Sequence, residues 1–302
     1  MTPQWLAQAE RSNVFALRSL VWIVSVLGRR IGQWLLYPTC FYFLLFSVKA
    51  RRASKQYLTR VLGRPPRWRE VFQHYLTFAT VALDRLFLLT DRYDMFDIRC
   101  TGEQPLLDLV AKKQGAFLLG AHIGSFEVLR AIGEQRRGAS VRMLMFEENA
   151  RKLNAVLSAI NANFKMSIIS LGKIDSMLKI KEHLDAGELV GMLGDRAISA
   201  TGQVPLPFLG HEAEFPDAPF RLASMLRRPV FLMVGLYRGG NRYDLYFEPL
   251  IDGEAIERKD RERVIHTWQQ RYVERLEHYC RMAPYNWFNF FEFWNSDGKS
   301  DV

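Results

Sequence analysis

From Phe96 onward, short apolar runs alternate with helix-period stretches, and this rhythm constrains the fold more than any other feature of the chain. The runs are Phe96–Thr101, Ala116–Ala121, Val141–Phe146, Met166–Ser170, Leu189–Leu193, Val230–Leu236 and Tyr243–Pro249. Each is too short for a helix and reads as a strand. Helical patterns fall between and after them, at Pro105–Gln114, Phe126–Gln135, Ala150–Asn163, Ile174–Ala186, Ala218–Leu226 and Arg258–Arg281. Such alternation predicts an α/β fold, a largely parallel mixed sheet flanked by helices. At 302 residues and 49% hydrophobic, the chain is long and apolar enough to bury one large core.

Within that frame Gly115–Arg137 stands out. The strand Ala116–Ala121 breaks at His122-Ile123-Gly124-Ser125, and a helical pattern resumes at Phe126. A histidine at the carboxyl end of a strand lies on the edge where open α/β sheets bind ligands. Glu127, five residues on, is placed to turn back and accept the ring N–H of His122, leaving the other nitrogen as a base. The pattern alone is common: a chain with this many histidines and carboxylates contains about 0.6 such spacings by chance. The competing reading is a histidine that caps a helix or satisfies a local carbonyl. Gly124 and Ser125, in the break itself, are candidate substrate contacts.

A second polar edge follows Leu189–Leu193 as Gly194-Asp195-Arg196. If that strand runs parallel to Ala116–Ala121, Asp195 and Arg196 emerge beside His122, and Arg196 can hold an anion or a developing oxyanion. The alternative is an ordinary surface loop. Residues Ala200–Phe215 read as a long loop, and His211 within it is a weaker candidate base than His122. His74 and Asp84, in a helical pattern over Arg67–Thr90, read as structural. The segment Pro284–Trp294 is mostly aromatic and either caps the core or lines an acyl or membrane contact.

Charge is distributed unevenly. The net charge is +9, yet residues 1–70 hold twelve Lys/Arg against two acids, and the remainder is nearly neutral. That basic quarter also contains Val14–Leu27 and the uncharged Ile31–Val48, separated by Gly28-Arg29-Arg30 and closed by Lys49, Arg51, Arg52 and Lys55. Basic flanks on apolar segments favour an anionic membrane surface over nucleic acid, for which no recognition motif is present. Eighteen residues with Pro38 in the middle is short for a span. Spanning and interfacial anchoring both stay open, as do two buried core helices. The domain reading is a basic apolar membrane-associating segment at 1–60 and an α/β domain at 61–302. Three scattered cysteines, without zinc spacing, imply a reducing compartment and no structural metal. Neither G-x-S-x-G, nor a phosphate-binding G-x-x-x-x-G-K-[ST], nor G-x-G-x-x-G occurs.

The ordered set of HIGSFE, GDR, TGQVPLPFLGHEAEFPDAPFRLASMLRRPV and PYNWFNFFEFW resembles the bacterial lipid A late-acyltransferase family, within the lysophospholipid acyltransferase superfamily. The resemblance runs over nearly the whole chain. It implies an acyltransferase on the cytoplasmic face of the inner membrane, with an acyl carrier protein thioester as donor and a lipid or glycolipid hydroxyl or amine as acceptor. By position, His122 would be the base, Glu127 its orienter, and Asp195 with Arg196 a substrate-side pair. A thioester is already activated, so no metal or cofactor is expected. Two departures stand out: Arg196 replaces a glutamine common in the family, and the aromatic tail lacks basic residues. The tail resembles that of a branch found near aryl-polyene or polyketide-like lipid genes. The rival reading is a non-catalytic lipid-binding or scaffold protein of the same fold.

Overall fold

A computed structural model describes residues 14–90, 92–128, 140–146, 168–172, 175–196 and 202–294, with side chains from Gly28 onward. The helix expected over Ala150–Asn163, and most of that over Phe126–Gln135, lie outside the described residues. Nine strands are present among those described: β1 (Asp97–Thr101), β2 (Ala116–Gly120), β3 (Val141–Phe146), β4 (Ile168–Leu171), β5 (Leu189–Leu193), β6 (Gln203–Phe208), β7 (His211–Pro216), β8 (Val230–Tyr237) and β9 (Arg242–Ile251). Seven form one sheet in the order β1-β9-β8-β2-β5-β3-β4. The run from β8 to β4 is parallel throughout, β9 is antiparallel to β8, and β1 is parallel to β9.

Strand β2 lies between β8 and β5, and all five of its residues are buried. Both faces of a central parallel strand are covered, so its sequence is a continuous apolar run rather than an alternation. The β2–β5 register pairs Ala116 with Leu189 and Gly120 with Leu193. The two strands therefore end level, and the residues that follow them emerge side by side.

The stretch expected to be a long loop at Ala200–Phe215 is instead the hairpin β6–β7, paired from Gln203–Pro216 to Phe208–His211. Leu209 and Gly210 form its two-residue turn, both with positive φ (52° and 80°), which matches the twist of the flanking strands. The prolines that suggest a loop, Pro205 and Pro207, sit on its exposed positions, while Leu206 and Phe208 point into the core. An isolated two-stranded ribbon tolerates proline at edge positions that need no donor.

The helices are α1 (Val14–Phe46), α2 (Val48–Leu62), α3 (Trp68–Leu88), α4 (Gln104–Ala111), α5 (Ser176–Asp185), α6 (Ala218–Leu226) and α7 (Arg261–Met282). Helix α1 bends at Gly28 (φ 82°, ψ 170°), a conformation that glycine adopts without a Cβ penalty. The basic stretch after Ser47, expected from the sequence only as a flank, forms α2. The segment Gly28–Phe46 meets α2 at 96°. No single described helix is long and apolar enough to cross a membrane; this bent pair is, by length and composition only. Leu36, Cys40 and Leu44 of α1 and Tyr57 and Leu58 of α2 join the same buried core as the sheet.

Arg29, just past the bend, is buried. Its Nε and Nη2 lie 2.6 and 2.8 Å from the two carboxylate oxygens of Asp84 on α3, and Nη2 also donates to the Gly240 carbonyl. The Tyr243 hydroxyl donates to Asp84 at 2.8 Å. One cation of the N-terminal charge cluster is thus an internal clamp between α1, α3 and the β8–β9 turn.

Candidate active site

His122 and Asp195 each lie two residues beyond the paired ends of β2 and β5, and the register brings them together. His122 Nδ1 is 2.8 Å from Asp195 Oδ1, and the His122 main-chain N–H donates to Oδ2 at 3.0 Å. The strand ends are stitched by Gly194 N–H donating to the Gly120 carbonyl. Asp195 is fully buried, whereas a third of the His122 side chain is exposed. Burial opposes ionisation of Asp195, but the His122 ring and main-chain N–H together with Arg196 outweigh it and hold the carboxyl below its usual range. An ionised carboxylate only accepts, so the His122 proton sits on Nδ1 and Nε2 carries the lone pair. Desolvation and then the Arg196 charge push His122 below the ordinary imidazole value, with Asp195 offsetting part of this. The ring is therefore neutral at neutral pH, the form a general base requires.

The contact expected between Glu127 and His122 does not form. Glu127 lies in the first turn of the helix that starts at Phe126, and its Oε1 is 2.7 Å from Arg85 Nε on α3, an ion pair in which the N–H is not aimed at the oxygen. The helix carries the carboxylate away from the strand end, and a cation on a neighbouring helix captures it. Ser125, read as a substrate contact, is fully buried; its hydroxyl accepts from Val128 N–H at 3.4 Å and lies 3.5 Å from Glu127 Oε2. That arrangement caps the start of the helix. Gly124 is likewise committed: its N–H donates to the Asn286 carbonyl, and φ is 62°. A Cβ there would fall 1.8 Å from the Gly235 carbonyl oxygen, so only glycine fits. Arg196 stands beside the dyad, with Nη2 donating to the Phe288 carbonyl at 2.9 Å and the guanidinium 5.0 Å above the Phe291 ring. His211 is exposed on β7 and makes no contact with the dyad among the described residues.

The aromatic tail contributes residues that the sequence reading did not single out. Phe288 N–H donates to the His122 carbonyl, Ile123 bridges Trp287, and the Asn286 amide pairs with both main-chain groups of Tyr237 at the end of β8. The indole N–H of Trp287 donates to Asp195 Oδ2 at 3.1 Å. Equal spacing of His122 and Asp195 past the carboxyl ends of two buried strands is a usable signal for the dyad. Nothing local marks Trp287, because it reaches the site from the far end of the chain. His74 and Asp84 are both buried and bonded inside the fold, as read.

The site joins an imidazole whose Nε2 has no hydrogen-bond partner among the described residues to a buried carboxylate, on the sheet edge where α/β folds bind ligands. No curated protein matches the chain. The sequence model of the bacterial lipid A biosynthesis acyltransferases matches residues 14–296. The ordered elements read in the sequence, the fold and this match together place the chain in the bacterial lipid A biosynthesis acyltransferase family.

Proposed function

We propose that this acyltransferase lies on the cytoplasmic face of the inner membrane and moves an acyl chain from an acyl carrier protein thioester to a hydroxyl or amine of a lipid or glycolipid, with His122 as general base. The observation that carries the reading is the His122–Asp195 pair, which leaves Nε2 unprotonated and without a hydrogen-bond partner among the described residues. Nε2 takes the acceptor proton as the oxygen or nitrogen attacks the thioester carbonyl. The C–S bond then breaks, and the proton passes to the departing thiolate. Asp195, rather than Glu127, supports the imidazolium that forms. Arg196 is placed to meet an anionic group on donor or acceptor.

Membrane attachment rests on α1. From Ile31 to Phe46 the helix is apolar on every side, but its protein-facing stripe is Leu36, Cys40 and Leu44. Trp34, Tyr37, Phe41, Tyr42, Phe43, Leu45 and Phe46 are exposed. A helix apolar all round belongs in a core or a membrane, and here the protein supplies only one side. Lys49, Arg52 and Lys55 are exposed on the adjoining α2, where anionic headgroups would meet them. Phe78 on α3, also exposed, touches Phe288, the residue bonded to the His122 main chain. Apolar side chains of α3 and of the tail therefore lie next to the segment that holds the base.

Purified protein, acylated carrier protein and inner-membrane vesicles, followed by mass spectrometry, test the reading. Transfer should depend on all three, and His122→Ala should lower it by about 10²-fold or more. Undiminished transfer by that variant overturns the base assignment; lipid binding without any turnover points to a scaffold.

A further inference from the structure

Asp195 receives three N–H groups: two from His122 and one from the Trp287 indole. Trp287 is itself held. It is 1% exposed, with its ring edge-on to Tyr57 of α2 and to Phe208 of β6. Its carbonyl lies 2.8 Å from His74 Nε2 on α3, and His74 Nδ1 lies 2.8 Å from the Ser54 hydroxyl on α2. A carbonyl only accepts, so His74 carries its proton on Nε2 and accepts from Ser54 at Nδ1. Ser54 thus donates to His74, His74 to the Trp287 carbonyl, and the Trp287 indole to Asp195, with every member fully or almost fully buried.

We propose that Trp287 is the positioning residue of the His122–Asp195 dyad, its indole N–H fixing the Asp195 carboxylate, and that α2 and α3 hold it in place through the Ser54–His74 bond. The inference rests on His122 being the base. A tryptophan present only to fill the core would touch Asp195 with any edge; this one presents its single donor to the oxygen that does not face the His122 ring. Oδ1 is thereby left to the imidazole. Helices α2 and α3 and the carboxylate that orients the base are thus joined through Trp287.

The groups that face the dyad are Arg196 from the segment after β5, Arg85 of α3 paired with Glu127, and the Tyr272 hydroxyl and Cys280 thiol of α7. With these unchanged, removing the indole N–H leaves the Asp195 charge less neutralised. Protonated His122 is then favoured, and its pKa rises.

The test is Trp287→Phe, together with site-specific replacement of Trp287 by 3-benzothienylalanine, which keeps the bicyclic shape but has sulfur in place of N–H. Two readouts are taken: the acid limb of kcat/KM for acyl transfer, and the His122 ring titration by NMR, assigned by comparison with His122→Ala. The expected result is an upward move of about half to one pH unit in both, with kcat lowered several-fold and KM little changed. The benzothienyl variant separates loss of the donor from loss of packing should the phenylalanine variant fold poorly. His74→Gln, which keeps a donor toward the Trp287 carbonyl, should retain the wild-type limb, and His74→Phe should move it upward. If His122→Ala still transfers acyl groups, the base assignment fails. If His122→Ala is inactive but a folded Trp287 variant leaves the His122 titration unmoved or lowers it, the positioning role of Trp287 is overturned.

Discussion

Glu127 lies 2.7 Å from Arg85, and the His122 ring is left to Asp195 at 2.8 Å. Two carboxylates near one histidine are thus separated by what each faces: one neutralised by a cation on α3, the other buried beneath the imidazole. Asp195→Asn should therefore lower kcat by about 10²–10⁴-fold with little change in KM. An asparagine amide cannot accept from both the His122 main chain and the Trp287 indole while also accepting from Nδ1. Glu127→Gln should cost far less activity. Steady-state kinetics on the two variants decides between the carboxylates, and equal losses would return the orienting role to Glu127.

The acid limb of the rate profile should lie below the ordinary imidazole value of about 6.5. Desolvation and Arg196 hold His122 down, so the base stays unprotonated to lower pH than an exposed histidine would. Arg196→Gln should move the limb upward. A wild-type limb above 6.5 would contradict the electrostatics of the site.

Stability should carry its own pH signature from His74. Burial lowers its pKa from 6.5 to about 4. Between these values the unfolded chain binds the proton and the folded chain does not, so stability falls as pH drops from 6.5 toward 4 and is flat, for this group, above 6.5. The full effect is about 3 kcal/mol, since one pKa unit corresponds to about 1.4 kcal/mol. Denaturant titrations at stepped pH should show this slope in the wild type and a shallower one in His74→Gln.

Arg29→Met should destabilise the fold by about 3–5 kcal/mol, because it leaves the Asp84 charge buried without its partner. Pairing it with Asp84→Leu should recover much of the loss. Chemical denaturation of the single and double variants measures this, and a harmless single variant would show that α1 is held by its apolar contacts alone.

Changing Trp34, Phe41 and Phe46 together to serine should weaken binding to anionic vesicles by about tenfold or more, given the apolar area lost from the interface. Added salt should weaken wild-type binding through the cations of α2. Vesicle sedimentation reads both, and unchanged binding would place the attachment elsewhere.

The sheet was legible because its central strands β2 and β5 are largely buried and carry unbroken apolar runs, and Leu189–Leu193 and Val141–Phe146 have the bounds read from the sequence. The kink at Gly28 was legible for a local reason, a glycine before two arginines within apolar surroundings. The β6–β7 hairpin was not, because Pro205 and Pro207 mimic a loop while occupying outward positions. In the site, His122 and Asp195 were visible as two strand ends, but their pairing depends on register, which no single segment encodes. Glu127 was assigned to the wrong neighbour because sequence spacing cannot show Arg85 arriving from α3. Trp287 was invisible as a site residue for the same reason, its partner being 92 positions away.

Since Gly120 pairs with Leu193, base and carboxylate are both offset by two residues from a shared rung of the ladder. Their alignment is measured out by main-chain hydrogen bonds rather than by side-chain fit. One residue inserted between Leu193 and Asp195 would leave the strands and the core in place and delete neither functional residue, yet it would part the pair, because the count from rung to side chain would be three for the carboxylate and two for the base. The two linkers Ala121 and Gly194 are the shortest lengths of chain on which the chemistry depends, and Gly194 is also confined in space, since a Cβ there would fall 2.9 Å from Leu119 and 3.1 Å from the Tyr272 ring.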